Sequence, residues 1–330
     1  MRAACMPDEA TPRRRHAPAW WPRARRWLGI AFVVAVGALV ANVARSMDWG
    51  AAWHALQRVE PATLALAAAL AAASHALYAT YDLIGRHLTG HGLAAPRVAA
   101  VGFISYAFNL NLGALVGGFA LRYKLYGKLG LAPGVVTRVL GYSLLTNWLG
   151  YFVLGGTLLL LRPPALPPDW ELGRTGLRLL GGALLLAAAS YVALCAFARR
   201  RSWRLRGHEL VLPPLRIALL QLAMSATNWA LIAGVCHVLQ GRTLPYPDVL
   251  TALLLAAVAG VVTHLPAGLG VIEAVFVALL GARLGQGPVL AALLAYRAVY
   301  YLAPLAVATA LYFVLEARGR RQAGAAAGPA

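Results

Sequence analysis

The chain is poor in charge and poorest in acid. Only 12% of its 330 residues are Asp, Glu, Lys or Arg, about half the ~25% usual in soluble domains. Acidic residues number 11 against 30 basic ones, and Lys124 and Lys128 are the only lysines. Cysteine is scarce as well. Cys5, Cys195 and Cys236 are odd in number, two of them sit in apolar stretches, and none shows a paired spacing. That excludes a disulfide framework and a cysteine-based zinc site, and the three read as small hydrophobes. No glycine-rich phosphate loop ends in Lys-Ser/Thr, and neither His-Glu-x-x-His nor Gly-x-Ser-x-Gly occurs. ATP-driven transport, zinc proteolysis and serine hydrolysis are therefore not expected of this chain. No metal, cofactor or catalytic residue is assigned.

What is present is apolar. Hydrophobic residues make up 60% of the chain, above the ~45–50% of soluble domains, so a bilayer is the natural solvent for most of it. A net charge of +19 would point to nucleic acid in a soluble protein. Here the arginines fall in short clusters between apolar runs, as topology signals do, and no nucleic-acid partner is expected. Residues 1–27 read as a disordered basic tail. Apolar runs follow at 28–44, 61–81, 98–121, 135–161, 176–198, 214–239, 249–280 and 288–315, against the ~20 residues a helix needs to cross the hydrocarbon core. Two of them are irregular. Run 98–121 carries Asn109, Asn111, Gly113, Gly117 and Gly118. Run 249–280 is too long for one helix and is interrupted by His264-Leu265-Pro266-Ala267-Gly268-Leu269-Gly270. Glycine loosens a helix and proline removes a donor, so both runs are expected to break.

The basic residues choose between two topologies. If all eight runs cross, 12 basic residues lie outside and 16 inside. If the two broken runs enter and return on the same side, only Arg45, Arg58, Arg162, Arg174, Arg178, Arg242 and Arg283 lie outside, and 21 lie inside. The positive-inside rule selects the second arrangement. The expectation is an all-α polytopic membrane protein, both termini cytoplasmic, with six spanning helices plus two re-entrant broken segments. Residues 28–161 and 177–315 then form two membrane repeats of 134 and 139 residues, with a cytoplasmic tail at 316–330. Three crossings per half is odd, so the second repeat is inverted. Inverted repeats with broken helices form substrate sites in many transporters, because irregular backbone at membrane depth must be buried in protein or line a wet cavity. A glycine-rich packing surface accounts for the same residues.

Ionisable residues inside apolar runs call for a reason. Glu273 follows the second break by three residues, and Arg297 lies in the last run. The two are expected to neutralise each other. A register-fixing ion pair explains them, and so does a cavity in which Arg297 takes an anionic headgroup when Glu273 releases it. Arg122 follows the first break, near Asn109 and Asn111, placed to hold a lipid phosphate; Lys124 reads as snorkelling to the headgroups. His264 is either a headgroup donor or a core histidine. His75 and Asp82 are seven residues apart and can share a helix face, with Asp82 marking a cytoplasmic end.

Three stretches carry a family resemblance: Asn111 to Arg122, Leu265-Pro266-Ala267-Gly268-Leu269-Gly270-Val271-Ile272-Glu273, and Tyr296-Arg297 with Tyr300 and Pro304. They resemble the transmembrane region of lysylphosphatidylglycerol synthases, which also exists as stand-alone inner-membrane proteins. In the full-length relatives that region moves an aminoacylated phospholipid between leaflets, and a separate cytoplasmic domain makes it. No soluble stretch here exceeds about 30 residues, so an aminoacyl transfer is not expected and the chain is read as a non-enzyme. The resemblance implies that Gly268, Gly270, Glu273, Arg122 and Arg297 line or brace a lipid path. The wider set of substrate-binding candidates adds Asn109, Asn111, Gly117, Gly118, His264, Pro266 and Tyr300. The leading expectation is a lipid translocator, with a lipid-synthesis enzyme as a possible partner. Two others stand beside it: an accessory subunit of a lipid synthase or glycosyltransferase, and an intramembrane lipid-modifying enzyme.

Overall fold

A computed structural model describes residues 49–165, 173–205, 208–263 and 268–326. The basic tail, the apolar run 28–44 and the segment 264–267 lie outside the described residues. The described chain begins with a short helix, α1 (Trp49–Gln57), followed by α2 (Pro61–Ala79) and α3 (Tyr81–Thr89), which together make one 29-residue apolar helix. Next come α4 (Ala95–Leu112), a π-helical segment (Ala114–Ala120), α5 (Leu121–Lys128) and α6 (Pro133–Leu161). Prolines open α2 and α6 and stand in the first turn of α4. Their fixed φ and missing N–H cost nothing at that position.

The second half runs α7 (Arg174–Phe197), α8 (Leu215–Leu239), α9 (Tyr246–Thr263), α10 (Val271–Leu284) and α11 (Gln286–Tyr296). A second π-helical segment (Arg297–Leu302) and α12 (Ala303–Ala326) complete it. Among the described residues, one departure from helix occurs between α7 and α8, where strands β1 (Ser202–Leu205) and β2 (His208–Val211) pair antiparallel. The Tyr142 hydroxyl donates to the Val211 carbonyl and ties this hairpin to α6.

Among the described residues, six helices are long and apolar enough to cross a membrane. Five coincide with expected spans. The sixth is α9, the entering arm of the second broken run, which qualifies by length and composition. Both broken runs nevertheless turn back on themselves. The first π-helical segment packs against α4, and α10 packs against α9. At the open end of the second hairpin, Arg283 Nη1 lies 2.6 Å from Asp248 Oδ2, so residues at its start and finish meet.

The two hairpins enter from opposite ends of the bundle. Lys128, at the open end of the first, pairs with Glu316 near the end of the last span. Arg162, at the far end of α6, lies 3.9 Å from Asp248 at the open end of the second. Helix α6 has 29 residues, about 44 Å at 1.5 Å each, and it starts just after Lys128. That length separates the two openings.

Glycines set the helix spacing. A Cβ on Gly150 would meet the Ser225–Ala226 backbone of α8 at 2.3 Å, and one on Gly181 of α7 would meet the Gly156 carbonyl of α6 at 2.8 Å. Small residues let helices approach closely where lipid supplies no hydrophobic drive. Helix α7 is the most peripheral of the described spans, with few of its residues buried.

Candidate functional site

The first break is built on Gly113, whose φ is +83°. Beyond it the backbone widens to a π-helix and doubles back. A Cβ on Gly117 would lie 2.1–2.4 Å from backbone atoms of Phe108 and Asn109, so no residue but glycine fits. Gly118 faces the Asn109 carboxamide, with 3.1 Å from a built Cβ to Oδ1. These two glycines brace the hairpin and do not line its cavity. Asn111 is buried and donates from Nδ2 to Ala107 O at 2.8 Å and to Tyr301 O at 3.2 Å. The second bond satisfies a carbonyl of the other π-helical segment, and so couples the two irregular stretches.

At the second break, Gly268 and Gly270 have φ of +56° and +79°. Gly270 caps α10, and Glu273 stands in that helix's first turn. Arg297, at the start of the second π-helical segment, binds Glu273 through both ends of its fork. Its Nε lies 2.5 Å from Oε1 and its Nη2 2.9 Å from Oε2. Nη2 also donates to the Gly268 carbonyl at 3.1 Å. The expected pair therefore forms, and it clamps the hairpin tip to the last span. His264 and Pro266 lie outside the described residues.

Between the two tips lies a cavity of about 490 Å³. Gly113, Ala114 and Leu115 of the first hairpin line it, as do Gly260, Val261 and Gly268 of the second. Its polar wall comprises Asn109, Asn147, Trp229 and five tyrosines, among them Tyr106 and Tyr300. Leu115 and Val261 are largely exposed, so the opening is apolar while the interior is amide- and phenol-rich. Of the expected candidates, Asn109, Gly268 and Tyr300 line this space. Arg297, Glu273, Asn111, Gly117, Gly118 and Gly270 support it from behind.

A buried hydrogen-bond chain backs the wall. Ser74 Oγ donates to Asn228 Oδ1 at 2.7 Å, which leaves Tyr300 to donate to Ser74 at 2.7 Å and Tyr106 to Tyr300 at 2.9 Å. His75 packs on the Tyr300 and Tyr106 rings and is held by Ala71 O at 2.9 Å. His75 and Asp82 thus serve different groups.

Arg122 departs from the expectation of a free phosphate ligand. It is engaged by Asp82, with Nε to Oδ2 at 3.0 Å and Nη2 to Oδ1 at 3.2 Å. Tyr126 donates to the same carboxylate at 2.9 Å, and Arg122 also reaches Ser143 and Gly118 O. The side chains are 3% and 0% exposed. A guanidinium taken out of water must find an anion, and the carboxylate of α3 is that anion. Asp82 is consequently a core ligand and not a terminal marker. Lys124 reaches the Tyr312 hydroxyl at 2.8 Å.

Residue patterns alone did not single out Tyr78, Tyr106, Asn147, Trp229 or Tyr296 as cavity residues. The available signal was polar residues at helical spacing within apolar runs, such as Ser74-His75-Tyr78 and Ser225-Asn228-Trp229. Among the described residues, no group of three or more His, Cys, Asp or Glu is placed to hold a metal ion.

The family described as "Lysylphosphatidylglycerol synthase TM region" matches residues 26–308. The chain is 41% identical to the inner membrane protein YbhN of Escherichia coli over 302 residues, covering 91% of this chain and 95% of that protein. It is 29% identical over 298 residues to an uncharacterised Synechocystis protein, slr0712, covering 88% and 92%.

Proposed function

We propose a function from one premise: the chain belongs to the lysylphosphatidylglycerol synthase transmembrane-region family and is a multi-pass inner-membrane protein. It moves a lipid between leaflets. The headgroup passes through the cavity between the hairpin tips while the acyl chains stay in the bilayer. The observation that carries this reading is that both broken hairpins, entering from opposite ends, line one cavity. Its volume falls within the roughly 300–1,000 Å³ of ligand sites, and an apolar opening with a polar interior suits an amphipathic cargo. Both termini face the cytoplasm, the first hairpin opens there, and the second opens to the opposite face. The two halves act as inverted repeats that alternate access to the tips. The chain performs no covalent chemistry, and a lipid synthase is the natural partner supplying its cargo.

The test is leaflet exchange. Purified protein in liposomes should accelerate loss of inner-leaflet fluorescent lipid to a membrane-impermeant quencher. Exchange no faster than in protein-free liposomes, across neutral, anionic and cationic headgroups, would end this reading.

A further inference from the structure

We infer that the headgroup moiety seated in this cavity is uncharged and rich in hydroxyls, a sugar or other polyol. This inference rests on the lipid-translocation reading above. Both nearby guanidiniums are already spent, Arg122 on Asp82 and Arg297 on Glu273. Among the described residues, no charged side chain lines the space. A phosphate or an ammonium placed there would lose its water without gaining a counter-charge, which is the costly way to bury an ion.

Two carboxamides on the wall are unspent. The carboxamides of Asn109 and Asn147 line the cavity and have no side-chain hydrogen-bond partner among the described residues. Asn147 takes part in hydrogen bonds only through its backbone carbonyl, which accepts from Ser225 Oγ at 2.8 Å and Trp229 Nε1 at 3.0 Å. By contrast, the Tyr106 and Tyr300 hydroxyls are occupied by the Ser74 chain. Each free carboxamide offers two donors and an acceptor with two lone pairs. That combination matches neighbouring hydroxyls, each of which both gives and takes a hydrogen bond. The indole of Trp229, half-buried on the wall, supplies a flat apolar surface for the C–H face of a sugar ring.

The inference is tested by binding, without transport. Full-length protein in detergent micelles is titrated with three dioleoyl lipids: monoglucosyldiacylglycerol, phosphatidic acid and phosphatidylethanolamine. Native mass spectrometry and the shift in melting temperature provide the readout. The glucosyl lipid should bind about tenfold or more tightly than either of the others, as expected where hydroxyl partners are built into a site. Asn109→Leu and Asn147→Leu should each abolish that preference while leaving the lipid-free melting temperature within a few degrees. If either variant does not fold, the wild-type ranking still decides. Equal or tighter binding of phosphatidic acid or phosphatidylethanolamine, or a preference that survives both substitutions, overturns the inference. Protein that exchanges fluorescent phospholipids yet prefers phosphatidic acid refutes the headgroup class alone. Protein that binds none of the three and exchanges nothing refutes the translocation reading with it.

Discussion

At the scale of single residues, burial decides what an ion pair is worth. Removing one member of a buried pair strands the other charge, at a cost of about 3–5 kcal/mol. Asp82→Asn and Arg122→Gln should therefore each destabilise the protein by about that much in detergent unfolding. The double substitution should cost less than the two together, since the residues share one interaction. Glu273 is 21% exposed where Asp82 is 0% exposed, so Glu273→Gln should cost less than Asp82→Asn. The opposite ranking would mean that hydration does not set these energies. His91, in the loop after α3, has its pKa lowered by burial and then by Arg86. Such a histidine binds its proton more readily once unfolded, so stability holds above the unfolded pKa of about 6.5 and declines as pH falls below it. His91→Gln should flatten that part of a melting-temperature profile.

At the scale of elements, the first hairpin stands on one close backbone contact. Gly117→Ala drives a methyl into the Phe108–Asn109 backbone, a named cause of losses above about 4 kcal/mol. Little folded protein should be recovered by size-exclusion chromatography. Gly127→Ala, with nothing within 4 Å of the added carbon, should stay within about 0.5 kcal/mol of the parent. The breaks at Gly113, Gly268 and Gly270 were legible, because glycine acts through the local backbone. Their supports were not. Asn111 stood out as polar in an apolar run, but its bond to Tyr301 O joins residues 190 positions apart.

At the scale of the whole molecule, the two hairpin openings face opposite ends. In a cysteine-free background, single cysteines at Lys128 and Arg283 should react with an impermeant maleimide from opposite sides of the membrane. A cysteine at Glu316 should label with Lys128, its partner in the structure. Labelling of positions 128 and 283 from the same side would remove the opposed entry on which the cavity depends. The count of basic residues outside the membrane already favoured this arrangement. Topology responds to the number of Lys and Arg near span ends, a quantity that needs no contact information.

Composition and order of residues determined the apolar runs, the places where two of them fail, and the side on which positive charge collects. These follow from solvation and backbone chemistry acting over a turn or two of helix. The union of Glu273 with Arg297 was also foreseeable, since two isolated opposite charges in a bilayer have few other options. Only the tertiary structure decided that Asp82 holds Arg122, 40 residues away, and that tyrosines and asparagines of separate helices share one wall. Which face of an apolar helix turns inward is chosen by packing between helices. Nearly every residue on such a helix is equally acceptable to lipid, so periodicity carries almost no signal of that choice.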